Sequence, residues 1–277
     1  MSLAAASLDP LHVVLLLLIG LAAGVLGGLL GVGGGLVMIP AMAVLLGKLY
    51  GPGSLHLYQL AALSIAFLLS IPAARQHLRA RAVVKRFLAS VIAFGVGGVL
   101  LGVVLGSGLA GEQTHVLQRI FGGFLILLVG ASIWEARGSD ASKVASCPTP
   151  ARWLFVGAWV GLPAGLLAGL LGVGGGIWAV PVQHRGLGIR LQSAIATSAC
   201  MIVGLAAAAT ISKGVAVARM ADLKLGPAWV LAACLAPGAI AGASFGARLT
   251  HILPLKWLRL AFHILLAATG VRLVAAA

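Results

Sequence analysis

Charged residues are sparse in this chain and leave long apolar stretches, most of them charge-free. Windows of some twenty apolar residues, enough for a helix to cross about 30 Å of hydrocarbon, fall at 11–30, 57–74, 87–109, 114–134, 153–171, 191–211, 225–247 and 256–273. The first and fifth windows are each followed, across a run of glycines, by a short apolar piece, 36–46 and 177–182. Segment 135–152 holds Gly138, Ser139, Asp140, Pro148 and Pro150, is the most loop-like stretch, and separates four windows from four. The pattern predicts an all-α integral membrane protein of about eight transmembrane helices, four in residues 1–145 and four in 146–277.

The two groups of four are related. Residues 24–40 read GVLGGLLGVGGGLVMIP and residues 165–181 read GLLAGLLGVGGGIWAVP, identical at eleven of seventeen positions. This internal duplication predicts two homologous four-helix repeats, each opening on a glycine-broken helix. A break inside an apolar stretch exposes backbone N–H and C=O groups that lipid cannot satisfy, so protein or a water-filled cavity must surround it. Paired breaks in matching positions of two halves point to a transporter's binding site.

Composition agrees with the pattern. The chain of 277 residues is 61% hydrophobic and 9% charged, far below the roughly 25% charged residues of a soluble domain. No long soluble domain fits within it. The N-terminal MSLAAASLDP carries no Lys or Arg before the first apolar run, unlike a cleaved signal. The three cysteines, Cys147, Cys200 and Cys234, have no CxxC or HxxxH partners and read as packing residues, with no metal or cofactor expected.

The formal net charge is +14. Cytoplasmic loops and anionic lipid account for many of the basic residues, and nucleic acid is not an expected partner. If every window crosses once, twelve of the nineteen Lys and Arg lie on one side with both termini and seven on the other. That places both termini in the cytoplasm of a multi-pass cell (inner) membrane protein. The 36 residues of 11–46 are too long for one crossing, however. A hairpin that enters and leaves on one side is the alternative, and it would invert one half relative to the other.

The candidate site starts at the two breaks, Gly31, Val32, Gly33, Gly34 and Gly35, and Gly172, Val173, Gly174, Gly175 and Gly176. Three contiguous glycines favour leaving the helix. They permit φ > 0, and successive N–H groups beside a helix N-terminus bind anions. Neutral polar residues follow each break: Gln192, Thr197 and Ser198 in one half, Gln59 and Ser64 in the other. Such groups line a polar path without the cost of a buried charge, or bond their own i−4 carbonyls. No Asp or Glu lies at the centre of an apolar window, and of the histidines only His263 lies well inside one. The basic run Arg75, Arg79, Arg81, Lys85 and Arg86 reads as a positive loop or as a funnel for anions.

Two enzyme-like strings carry little. GVGGG lacks a βαβ unit and a following acidic residue. Gly242-Ala243-Ser244-Phe245-Gly246 matches G-x-S-x-G inside a Gly/Ala-rich helix, where chance matches are easy. The chain is not expected to be an enzyme.

The doubled GLLGVGGG block with its trailing prolines, Pro40 and Pro181, resembles the TauE/SafE family of membrane permeases. The Ala-Ile-Ala-Thr-Ser element at 194–198 and the C-terminal run from Gly238 extend the resemblance over nearly the whole chain. It implies a polytopic helical transporter from a duplicated four-helix unit, linked to export of sulfite or small organosulfonates such as sulfoacetate. It also implies a site at Gly31–Gly35 with Pro40 and at Gly172–Gly176 with Pro181, Thr197 and Ser198. Leu63-Ser64 stands where the first half would carry its own Thr-Ser pair. The expected function is export of a small oxyanion. The alternatives are uptake, transport of a carboxylate, a membrane scaffold that moves nothing, and, last, an intramembrane hydrolase. The expected partners are the anion and membrane lipids, with room for a homodimer.

Overall fold

The computed structural model describes residues 9–50, 54–108, 153–220 and 225–249, with isolated positions between 119 and 130 and at 267 and 271. The predicted helices at 114–134 and 256–273 and the linker at 135–152 lie outside the described residues, apart from those isolated positions. The described chain is helical. Its elements are α1 (Pro10–Leu30), α2 (Gly35–Tyr50), α3 (Leu55–Arg79), α4 (Leu88–Gly108), α5 (Trp153–Leu171), α6 (Gly176–Pro181), α7 (Leu191–Ala218) and α8 (Leu225–Leu249). Six of them (α1, α3, α4, α5, α7 and α8) are long and apolar enough to cross a membrane. Helix α5 widens to a π turn at Gly157–Gly161, just ahead of Pro163, which has no N–H to donate. Helix α6 continues through a second π turn, Val182–Gly186.

Small residues set the packing. Gly20, Gly24 and Gly28 of α1 lie against Leu235, Ala239 and Ala243 of α8, and Gly238, Gly242 and Gly246 of α8 lie against Leu17, Leu21 and Val25 of α1. The numbers rise together, so the two helices run parallel. Helix α5 presents Gly161, Gly165 and Gly169 to Val91, Gly95 and Val99 of α4, also in parallel. At each of these glycines a methyl group would strike a carbonyl of the facing helix. In lipid there is little hydrophobic drive between helices, so backbone-to-backbone approach of this kind supplies the packing. Gly242 and Gly246 are therefore packing residues, and Ser244 turns outward and donates to the Ile240 carbonyl at 3.1 Å. That is the arrangement of a lipid-facing helix serine.

Helices α3 and α7 cross the centre and run antiparallel. Leu60 meets Gly214 at one end, while Val84, just beyond α3, bonds Thr197 at the other. Helix α3 runs with α1 and α8; α4 and α5 run with α7. Gly34 returns to the level of Gly27 and Ala23, and α2 then descends until Tyr50 meets Tyr58 near the start of α3, ring centroids 6.5 Å apart. Helices α1 and α2 thus form a hairpin that begins and ends on one side, as the length of 11–46 allowed.

Helices α3 and α7 exceed their expected bounds the most. Helix α3 begins before residue 57 and ends after 74, taking in His56 and His77; α7 continues past 211 and takes in Lys213. All three side chains are fully buried. Hydropathy trims a helix at its first basic residue, but these faces pack on protein rather than lipid, and packing decides where the helix ends.

Candidate functional site

Each first helix ends in the same way. Gly31 adopts left-handed φ 63° and donates its N–H to the Gly27 carbonyl; Gly172 adopts φ 77° and donates to Ala168. Gly33, Gly174 and Gly175 are also left-handed, with φ of 76°, 81° and 76°. An L side chain at any of these positions costs about 1–2 kcal/mol. The breaks leave the helix because only glycine sustains this run of conformations.

The two breaks lie face to face in opposite directions. The Gly31 carbonyl abuts Gly176, and the Gly172 carbonyl abuts Gly35. Between these contacts Gly33 and Gly174 oppose each other, with Ile202 from the middle of α7 packed over both. All ten residues of the two breaks are buried. The first intrahelical bonds of α2 are donated by Val37 and Met38 to the Gly34 carbonyl, and that of α6 by Ala179 to Gly175. The N–H groups of Gly35, Leu36, Gly176 and Ile177 precede those bonds, so two helix N-termini with their partial positive charge converge on the centre.

The other expected residues divide. Gln59 reaches the site: its Cβ and Cγ pack on Gly172 and its amide donates to the Leu170 carbonyl at 3.2 Å. Ser198 is fully buried on the face of α7 that carries Ile195 against Gly31 and Ile202 over the breaks, and its hydroxyl has no partner among the described residues. Thr197 is engaged elsewhere. It donates to the Ser193 carbonyl at 2.7 Å and accepts the Val84 N–H at 2.9 Å, pinning the turn after α3 to α7. Ser64 donates to the Leu60 carbonyl at 2.8 Å, one turn back on its own helix. Gln192 is exposed at the start of α7, one turn before the Ile195 that packs on Gly31.

Sequence reasoning missed His56, His77, Lys213 and Gln183, all buried. One signal was available for Lys213: it is the sole charge in the run from Leu191 to Ala218, and apolar residues resume after it. No cluster of metal-ligating side chains occurs among the described residues.

Paired broken helices buried in a bundle of membrane-length helices define a polytopic membrane protein of transporter type. The chain belongs to the TauE/SafE family: the family described as "Sulfite exporter TauE/SafE" matches residues 16–273. It is 26% identical over 290 residues to the "Probable membrane transporter protein MamO" of Magnetospirillum gryphiswaldense, covering 93% of this chain and 44% of that protein. It is 28% identical over 200 residues to a "Probable membrane transporter protein" of Haemophilus influenzae, covering 70% of this chain and 71% of that one. A third relative, "Probable membrane transporter protein MJ0441" of Methanocaldococcus jannaschii, is 23% identical over 61% of the chain and 60% of its own length. The chain spans less than half the length of the MamO protein that it matches. No solved structure matches it.

Proposed function

We propose that this membrane transporter exports a small oxyanion, sulfite or an organosulfonate such as sulfoacetate, and that the anion passes between the two glycine breaks. The observation that carries the reading is the meeting of the breaks, with two helix N-termini aimed at one buried point. Backbone donors suit the S–O⁻ oxygens of either anion, which accept several hydrogen bonds at once. Ser198 adds a hydroxyl on the same face. The breaks touch through Gly31 and Gly176 and through Gly35 and Gly172, so passage requires them to part. The reciprocal contacts and the antiparallel central helices support two inverted repeats, 1–145 and 146–277, as the frame for that motion.

Membrane potential suffices as the driving force. An anion leaving a cell that is negative inside gains about 2.3 kcal/mol per charge per 100 mV. For a dianion this is a bias of about a thousandfold. Sulfite flux from proteoliposomes is expected to follow an imposed voltage with no pH or sodium gradient. Flux that ignores voltage and demands such a gradient would refute uncoupled export. No flux of sulfite, sulfoacetate or a carboxylate would favour the scaffold.

The hairpin also changes the expected orientation. Among the basic residues of helices α1–α8 and the described turns between them, Arg75, Arg79, Arg81, Lys85, Arg86, Arg185, Arg190 and Arg248 gather at one end of the bundle. Lys48 and Arg219 lie at the other, with Lys213 buried. The positive-inside rule puts the first end in the cytoplasm and the Pro10 end of α1 outside. For the N-terminal end this reverses the reading based on eight single crossings; the C-terminal end lies outside the described residues. In a cysteine-free background, Asp9→Cys is expected to react with a membrane-impermeant maleimide on intact cells, and Arg81→Cys only after permeabilisation. The opposite labelling pattern would return the N-terminus to the cytoplasm.

A further inference from the structure

Lys213 lies eleven residues, or about 16 Å, beyond Ile202 on α7, toward the end of the bundle where α1 begins. It is fully buried, and its Nζ has no hydrogen-bond partner among the described residues. An ammonium inside a membrane bundle is costly, and such residues mark ion and substrate pathways. Its surroundings fit that role. The Nζ reaches toward Gly106 of α4 and lies 3.6 Å from where a Cβ of that residue would sit. His56 of α3 is 1% exposed and within electrostatic reach of Lys213, and its ring lies beside the side chain of Gln59. Gln59 lies three residues further along α3, packed on Gly172 at one side and beside His56 at the other. A line of polar groups therefore leads from the lower end of the break pair to Lys213.

We propose that Lys213 and His56 form a second anion site on the outer side of the glycine breaks, which receives the small oxyanion once it has passed them. This rests on the reading of the chain as an anion transporter. Lysine supplies a point charge with three donors and imidazole supplies an N–H, against which an oxyanion offers only acceptors. The anion thereby gives the buried ammonium the partner that the protein does not. The breaks bind through backbone donors that no substitution of a charged residue removes, whereas this outer site depends on one side-chain charge. The two sites therefore respond to different variants.

The test is sulfite efflux from proteoliposomes, measured against concentration at fixed voltage for wild type, K213Q, K213M and K213R. The melting temperature of each protein is followed in parallel. K213Q and K213M are expected to raise the apparent KM at least about tenfold, with melting unchanged or raised, because removing an unpaired buried charge does not weaken a fold. K213R is expected to restore most of the affinity, since it keeps the charge. A wild-type KM in K213Q, with wild-type protein transporting normally, would overturn the proposal. So would a fall in melting temperature in both neutral variants, which would make Lys213 structural. A wild-type protein that moves no anion would instead remove the transport reading itself.

Discussion

Gly176→Ala is expected to cut anion flux by at least about a hundredfold, the cost of some 3 kcal/mol of overpacking at a fixed contact. The added methyl would strike the Gly31 carbonyl and lie 2.7 Å from the Cα of Val32 and 2.9 Å from Cδ1 of Ile202. Two of those three atoms are backbone and have no rotamer to escape into. Gly35→Ala should do the same in mirror fashion, through the Gly172 carbonyl and the Val173 Cα at 3.1 Å. Gly33→Ala provides the contrast. Its methyl would sit 3.4 Å from the Val173 carbonyl oxygen and 3.6 Å from the Gly174 Cα, within ordinary contact distances. It carries only the left-handed penalty of about 1–2 kcal/mol, so it should lower the melting temperature and keep measurable flux. The measurement is sulfite flux per mole of reconstituted protein beside thermal unfolding of the same sample. Wild-type flux in Gly176→Ala would show that the meeting of the breaks is not needed for transport.

Gly165→Leu is expected to cost the fold rather than the site. Gly165 sits at the middle of the α4–α5 contact, where even a methyl would run into the Gly95 carbonyl and lie 2.9 Å from the Val99 N. A leucine must push two parallel helices apart along their whole seam. Packing is nearly all that holds such a pair together in lipid. A loss of about 4 kcal/mol, at the upper end of single-residue effects, corresponds to a melting shift of roughly 10 °C. Gly97→Leu is the control, since nothing lies within 4 Å of its missing side chain. Detergent-solubilised Gly165→Leu should melt early or aggregate, while Gly97→Leu should match wild type. Equal melting of the two would mean that the glycine seam does not bear on stability.

Much of the backbone at the candidate site was legible because glycine patterns are local. The doubled LLGVGGG block marks where each helix ends, since the left-handed residues at 31, 33, 172, 174 and 175 can be little else. The hydroxyls were less legible. Ser64 and Thr197 look alike in sequence to Ser198, yet two of the three bond neighbouring carbonyls and one does not. Whether a hydroxyl is spent on its own helix depends on its rotamer and on what faces it, which no spacing rule encodes. Lys213 falls just beyond the apolar window 191–211 because a hydropathy window assumes that every helix face meets lipid.

The sequence by itself determined the membrane class, the helix-breaking pieces, their duplication and the family, because composition, hydrophobic length and glycine conformational freedom are properties of short stretches of chain. The tertiary structure decided that α2 turns back beside α1, that the two breaks lie against each other in opposite directions, which end of the bundle gathers the positive charge, and that Lys213 is enclosed. These depend on how helices distant in the chain pack on one another. In a chain whose surface and core are equally apolar, that packing is directed by backbone approach at small residues and leaves no hydrophobic periodicity to read.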